Sequence, residues 1–78
     1  MRGFRYKTRK GTFYIWQLRD GWHPYFDDED LGCYATAQTA LDDLAGGHTF
    51  FPSSGVDPST CGLPDEIGEW DPVRARQA

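Results

Sequence analysis

The stretch GTFYIWQLRDGWHPYFDD, residues 11–28, constrains the fold of this chain most strongly, because it predicts two strands joined by a tight turn. β-Branched and aromatic residues fill its first half, and the Asp20-Gly21 pair is a typical hairpin signal. Pro24 has no N–H to donate to a neighbouring strand. We therefore expect the second strand, 22–28, to lie at a sheet edge or to contain a bulge.

Two further elements are predicted after this hairpin. LGCYAT, residues 31–36, has the composition of a third short strand, and the acidic run 27–30 before it fits an exposed turn, since adjacent carboxylates are not buried together. Thr36 stands in an N-cap position, and apolar residues then recur with helical spacing up to Gly46. The pattern predicts a three-stranded antiparallel sheet followed by one short helix on one face.

The chain from residue 48 to residue 70 has no hydrophobic period. It nevertheless supplies enough large apolar side chains to cover a sheet: Phe50, Phe51, Val56, Leu63, Ile67 and Trp70. The first predicted strand has Phe13, Ile15 and Gln17 on one face and Tyr14, Trp16 and Leu18 on the other. One helix covers only one face of a sheet, and the uncovered face would expose large rings. We therefore predict an α+β fold in which this aperiodic aromatic segment packs on the second face of the sheet. The predicted domain is 1–72, with a disordered tail at 73–78.

Charge is segregated along the chain, whose net charge is −4. The first 19 residues contain no acid and six bases: Arg2, Arg5, Lys7, Arg9, Lys10 and Arg19. Residues 20–73 contain all twelve acids and no base. The pattern is typical either of a basic strand that pairs with acidic neighbours inside the fold or of a basic arm that binds nucleic acid. The acidity of the remaining chain opposes phosphate binding and favours internal pairing.

Residues that could carry chemistry form no catalytic pattern. The serines lie in PSSG and DPST, where proline, serine and aspartate form turns, and no G-x-S-x-G motif is present. A zinc site of His23, Cys33, His48 and Cys61 would lack the closely spaced ligand pairs of such sites, and the acidic run lacks the length of a calcium loop. We predict no enzymatic activity, no cofactor and no metal. The two cysteines are expected to be reduced thiols, with a disulfide between them as the alternative.

Two resemblances rest on the later part of the chain. The pattern W…LGxYxTxxxAxDDLAGGHT followed by GVDxSTxGxPDxxxEW, within residues 11–71, is similar to a set of small bacterial proteins of unknown function. That resemblance supports the predicted fold but assigns no activity to it. LGCYATAQTALDDL, residues 31–44, resembles the strand-to-helix passage of plant AP2/ERF DNA-binding domains, with matches at Leu31, Gly32, Thr36, Ala37 and Ala40. This second resemblance implies three strands before a helix, and DNA contacts by strand residues such as Trp16, Trp22 and Arg19.

These observations predict a small acidic, non-catalytic protein-binding module. We expect it in the cytoplasm, because the sequence has neither a secretory signal nor an apolar span. The predicted contact residues are Trp16, Trp22, Tyr25 and Phe51, together with an acidic tip that would attract a basic partner: Asp27, Asp28, Glu29 and Asp30. The alternative is nucleic-acid binding through the six bases of the N-terminal segment and the strand aromatics. A small metal-dependent enzyme is a third, disfavoured class.

Overall fold

The computed structural model describes residues 1–75. The regular elements of this part of the chain are β1 (Arg2–Thr8), β2 (Gly11–Leu18), β3 (Gly21–Phe26), β4 (Glu29–Asp30), α1 (Ala37–Gly46) and β5 (Asp71–Arg74), with single 3-10 turns at Pro58–Thr60 and Ile67–Glu69. The strands form one antiparallel sheet in the order β4-β3-β2-β1-β5. The predicted α+β class, with an antiparallel sheet and one helix, is confirmed.

The sheet has five strands in the described residues, so the prediction of three is wrong. The basic N-terminal segment is itself a strand, β1, in which Phe4 and Tyr6 alternate with Arg5 and Lys7. The predicted third strand at 31–36 is not regular, and only Tyr34 in it bridges to a strand. Regular pairing with β3 ends at Asp30, and the following chain stays beside β3 only through single hydrogen bonds, from Leu31 to Pro24 and between Tyr34 and Trp22.

The β2–β3 hairpin has the predicted pairing, and Leu18 lies opposite Gly21 across the turn. Pro24 is fully buried opposite Ile15, and its carbonyl accepts a hydrogen bond of 2.8 Å from the N–H of Leu31. Because β4 is only two residues long, β3 has few partners on its outer side. β3 is thus not the edge strand expected from Pro24, because β4 lies outside it. The regular pairing with β4 covers only Tyr25 and Phe26, so Pro24 falls beyond it and its missing N–H interrupts no regular pair.

The helix begins as predicted from Thr36. The Thr36 side chain accepts a hydrogen bond from the N–H of Thr39, whose own side chain bonds the Thr36 backbone, so that a capping box is formed. The left-handed residue that ends α1 is Gly47, with a φ of 76°, one position beyond the predicted Gly46. The buried residues of α1 are Ala40, Leu41 and Leu44, which pack in one cluster with Phe13, Ile15 and Phe26 of the sheet.

The aperiodic segment joins this same core on the helix side of the sheet. Trp70 is 3% exposed and packs against the ring of Tyr6, with a centroid separation of 5.7 Å. Gln38 of the helix donates to the carbonyl of Asp65 at 2.8 Å and accepts from the N–H of Ile67 at 3.1 Å. The prediction that this segment covers the second face is therefore wrong, because the helix is short and the core beside it needs the apolar side chains.

Two aromatic side chains and part of the predicted C-terminal tail lie elsewhere than expected. Phe50 and Phe51, which we expected to cover the sheet, are 77% and 48% exposed. Val73 and Arg74 of the predicted tail belong to β5, which pairs with β1, whereas residues 76–78 lie outside the described part of the chain.

No helix in residues 1–75 is both long enough and apolar enough to cross a membrane.

Candidate functional site

The sheet face opposite the helix is the candidate site. Strand alternation and the cross-strand pairs place six large polar or aromatic side chains on it: Arg5, Lys7, Tyr14, Trp16, His23 and Tyr25. We call these six residues the open face. Tyr14, Trp16 and Tyr25 are half-buried, and none belongs to the hydrophobic core on the other side. The open face therefore retains aromatic surface that the described residues do not cover.

Two rings of the open face are stacked on one another. Tyr14 and Trp16 lie two residues apart on the central strand β2, with ring centroids 5.1 Å apart and planes inclined by 13°. Tyr25 is the cross-strand partner of Tyr14. Since these rings stand on regular strands, their positions are set before any partner binds.

Arg5 and Lys7 bring positive charge next to the rings. Arg5 lies opposite Tyr14 on one side and Asp71 on the other, but no ion pair within 4.0 Å joins Arg5 to Asp71. The basic segment is a strand with an acidic cross-strand neighbour, Asp71, as one of the two interpretations expected, but the ion pairs found in residues 1–75 both involve His23. The Nε atom of Arg5 is buried without a hydrogen-bond partner.

His23 lies between two carboxylates at the turn end of the open face. Its Nε2 is 2.7 Å from Oδ1 of Asp20, and its Nδ1 is 2.8 Å from Oδ2 of Asp30. Both partners are acceptors, so this arrangement is that of an imidazolium donating from both ring nitrogens. The Cys33 thiol donates to the carbonyl of Asp20 at 3.5 Å. We call Asp20, His23, Asp30 and Cys33 the His23 cluster.

The protonation of the His23 cluster follows from these contacts. Burial by itself lowers the pKa of His23, but the hydrogen bond to Asp20 and the charge of Asp30 outweigh it and raise the pKa above its ordinary value. The hydrogen bond from His23 lowers the pKa of Asp20. Partial desolvation and the charge of Asp20 raise the pKa of the Cys33 thiol. These shifts favour the protonated imidazole of His23 and the neutral thiol of Cys33.

The cluster also contains a group of metal-ligand type. The ligand atoms of Asp20, His23 and Cys33 all lie within 4.8 Å of one another. This set differs from the four residues weighed from the sequence, since the structure does not bring His48 or Cys61 into it. Cys33 and Cys61 are both free thiols, so the alternative disulfide is not formed.

The predicted protein-binding residues are divided between different surfaces. Trp16 and Tyr25 lie on the open face. Trp22 lies on the helix side of the sheet, opposite Gln17, with its ring 6.0 Å from that of Phe4. Phe51 lies in the exposed part of the 48–70 segment. Because Trp16 and Trp22 face opposite ways, the DNA surface implied by the AP2/ERF resemblance would not contain both.

Most of the acidic tip is engaged within the fold. Asp27 accepts a hydrogen bond of 3.0 Å from the N–H of Thr12, and Asp30 binds His23. Glu29 accepts from both the N–H and the hydroxyl of Ser53, at 3.0 and 3.1 Å. Among residues 1–75, Asp28 is the member of the tip for which no such bond is found. The acidic run therefore links β2, β3 and the 48–70 segment.

The predicted nucleic-acid residues are also spread over several surfaces. Arg5 and Lys7 lie on the open face. Arg2 lies on the other face, where Nε donates to Gln17 at 2.9 Å and the guanidinium carbon is 6.0 Å from the Trp22 ring. Arg9 and Lys10 occupy the β1–β2 turn and Arg19 the β2–β3 turn, at opposite ends of the sheet. Lys7, Arg9 and Lys10 also line an open cleft of about 590 Å³ beside Tyr6 and Cys61.

Sequence reasoning missed the His23 cluster as a unit. A signal was present, since Asp20 belongs to the predicted hairpin turn and His23 follows it three positions later. Asp30 could not be assigned, because its position depends on the pairing of β4 with β3. Comparison of the chain with protein-family models, curated proteins and solved structures gave no significant match, so both resemblances stay predictions.

Proposed function

We propose that this chain is a small non-catalytic binding module that contacts another protein through the open face. The observation that carries the proposal is the stacked Tyr14–Trp16 pair, which stays half-buried in a sheet face without a second layer in the described residues. Tryptophan and tyrosine are enriched at protein interfaces and dominate their binding energy. A cytoplasmic location, expected from the sequence, remains part of the proposal.

The polar residues around the rings define what the partner should carry. Arg5 and Lys7 are not paired with an acid of the described chain, so a partner with carboxylates at the rim of its contact surface would complement them. The acidic tip contributes less than the sequence suggested, because Asp27, Glu29 and Asp30 are already hydrogen-bonded. The proposal therefore rests on the rings and the adjacent cations.

A capture experiment with matched variants tests this function. The wild-type chain, Trp16→Ala and Phe50→Ala would each be immobilised and exposed to extract of the native host, and captured proteins would then be identified and purified. Phe50 is the control, because its ring is 77% exposed and it belongs to the 48–70 segment and not to the strands of the open face. We expect one partner to bind wild type and Phe50→Ala equally and to bind folded Trp16→Ala at least tenfold more weakly, as for a central aromatic residue.

The binding of that purified partner should also be located on the sheet. Amide chemical shifts of the labelled chain should change along β1, β2 and β3 at open-face positions when the partner is added. Shift changes confined to the helix or to residues 48–70, or equal affinity of wild type and Trp16→Ala, would refute the proposal.

A second candidate is single-stranded nucleic-acid binding, and one observation favours it. Arg5 and Lys7 lie on the strand next to the stacked rings, and exposed rings beside cations are the elements on which bases stack and phosphates bind. Mixed-sequence single-stranded DNA and RNA would be tested at increasing salt, with Arg5→Gln compared against Arg2→Gln on the other face. Binding that weakens steeply with salt and depends on Arg5 supports this candidate, and no binding at low salt eliminates it.

A further inference from the structure

The Asp20, His23 and Cys33 side chains converge although Cys33 comes from a different part of the chain than the other two. Asp20 lies in the β2–β3 turn, His23 on β3 and Cys33 in the segment after β4. Their carboxylate, imidazole and thiol ligand atoms lie within 4.8 Å of one another. In a tetrahedral site with bonds of about 2.0–2.3 Å, neighbouring ligand atoms are roughly 3.3–3.7 Å apart. Here Nε2 of His23 and Oδ1 of Asp20 are 2.7 Å apart and all three ligand atoms lie within 4.8 Å, so distances would change by about 1 Å on binding.

We propose that Asp20, His23 and Cys33 form a zinc-binding site at the turn end of the open face. The donors would be one carboxylate oxygen, Nε2 of His23 and Sγ of Cys33. The proposal is independent of the function proposed for the open face, because it uses none of the stacked rings.

The types of ligand atom in this site favour zinc over calcium and magnesium. A thiolate with an imidazole suits zinc, whereas calcium and magnesium take oxygen ligands only. Three protein ligands leave one position of a tetrahedral ion open. Since Asp20 and Cys33 are exposed, that position faces solvent and can be filled by water or by a side chain of a bound partner.

Asp30 supplies the orientation that metal-bound histidines usually have. Its carboxylate holds Nδ1 of His23 at 2.8 Å, which directs Nε2 toward Asp20 and Cys33. Asp30 is itself held, because Oδ1 accepts a hydrogen bond of 3.0 Å from the N–H of Gly32. A carboxylate on the far nitrogen fixes the tautomer and raises the basicity of the ligand.

The backbone holds Cys33 close to the turn. Trp22 and Tyr34 exchange two backbone hydrogen bonds of 2.8 Å, which position the residue before Tyr34 over the start of β3. Gly21 makes this approach possible, since a Cβ there would lie 2.5 Å from the carbonyl oxygen of Tyr34 and 3.3 Å from Sγ of Cys33. The thiol therefore reaches the cluster from a fixed segment.

Zinc binding would release protons from the histidine and cysteine ligands. The imidazolium loses its Nε2 proton and the Cys33 thiol loses its Sγ proton, and both protons pass to solvent as the nitrogen and sulfur lone pairs bind the ion. Asp20 exchanges its hydrogen bond from His23 for a bond to the metal, while the Nδ1–H of His23 continues to donate to Asp30.

Cobalt titration of the full chain tests the site. Metal-free protein under a phosphine reductant would be titrated with Co²⁺, whose thiolate complexes give a ligand-to-metal charge-transfer band. We expect one equivalent to bind with that band and with the intense visible bands of tetrahedral cobalt. Zn²⁺ should then abolish both, since it binds such sites more tightly than Co²⁺.

Matched variants separate this site from adventitious binding. Cys33→Ser should abolish the charge-transfer band, whereas Cys61→Ser, the other free thiol, should leave it unchanged. Asp30→Asn should keep the band but weaken binding by about 10–100-fold. Absence of stoichiometric cobalt binding, or a band that persists in Cys33→Ser, would overturn the proposal. If Cys33→Ser does not fold, zinc-induced shifts of the His23 ring signals in wild type decide, and unchanged signals overturn it.

Discussion

The indole ring of Trp16 lies over Gly3 of the neighbouring strand. The two residues are cross-strand partners, and a Cβ added to Gly3 would lie 2.7 Å from Cε3 of the ring and 2.3 Å from the carbonyl oxygen of Ile15. Gly3 is buried under this contact. The orientation of the largest ring on the open face therefore depends on the absence of a side chain on β1.

Gly3→Ala should destabilise the fold and displace Trp16. A methyl group that meets both a ring and a backbone oxygen below 3.0 Å forces β1 and β2 apart locally, and overpacking of this kind costs about 1–3 kcal/mol. Urea denaturation gives the free energy of unfolding. Gly68→Ala is the control, because a Cβ at Gly68 meets nothing within 4 Å, and its unfolding free energy should stay near wild type. Equal stability of the two variants would contradict the structure.

Gly21→Ala should be more harmful than alanine at another left-handed glycine. Gly21 has a φ of 143° and no room for a Cβ beside Tyr34, so strain and overlap combine to cost roughly 2 kcal/mol or more. Gly62 has a φ of 69° with open space around it, so Gly62→Ala carries only the strain. Thermal and urea unfolding of both variants measure the difference, and a Gly62→Ala variant as unstable as Gly21→Ala would refute the close approach of the Tyr34 segment.

The His23 cluster should stabilise the metal-free protein most strongly in mildly acidic solution. The folded pKa of His23 is raised above 6.5, so its contribution is complete below 6.5 and is lost as the pH rises through the folded value. The folded pKa of Asp20 is lowered below 3.8, so its contribution is complete above 3.8 and is lost as the pH falls through the folded value. Cys33 has a raised pKa and stays a neutral thiol in this range.

The measurement compares wild type with His23→Gln in the presence of a chelator. The difference in unfolding free energy should be largest near about pH 5 and should decline toward about pH 8, since only the charged imidazole bonds both carboxylates. Asp30→Asn should reduce the pH dependence of the unfolding free energy without removing it, because the hydrogen bond from His23 to Asp20 remains. A difference that is constant across this range would show that His23 stabilises the fold by packing alone.

Trp70→Ala should remove a large part of the stability of the domain. Trp70 is 3% exposed, packs on Tyr6, and donates from Nε1 to the carbonyl of Pro64 at 3.1 Å. Truncation of a buried tryptophan costs about 3–5 kcal/mol, which is much of the total for a domain of this size. Phe50→Ala, at an exposed ring, should change the unfolding free energy by less than about 0.5 kcal/mol. Truncation after Gly47 removes both Trp70 and β5, and we expect no cooperative unfolding transition from that fragment.

Local signals in the sequence were sufficient for the hairpin and the helix. The Asp20-Gly21 pair and the Thr36 cap act over a few residues, and the structure has β2, β3 and α1 where these signals predicted them. The basic N-terminal segment, β1, was a strand in one interpretation but was not counted among the three predicted strands, although Phe4 and Tyr6 alternate with Arg5 and Lys7 as a half-buried strand requires. Its partner β5 lies more than sixty residues away, and such a pairing has no local signature.

The candidate site was less accessible to sequence reasoning than the fold. The rings of β2 were recognised, but counting apolar residues could not decide which face the aperiodic segment covers. That depends on Gln38, whose amide joins α1 to residues 65 and 67 and holds the segment on the helix side. The His23 cluster requires the register of two strand pairs at once, and a shift of one residue would turn His23 away from Asp30.

The two outer strands bear on how this protein behaves at high concentration. β4 has two residues, and β5 has four, one of which is Pro72 and lacks an N–H. Because both edge strands are short and β5 contains a proline, they offer another chain few backbone groups for intermolecular β-pairing. The protein can thus keep aromatic rings accessible on the open face while its edge strands, β4 and β5, disfavour the pairing of copies into fibrils.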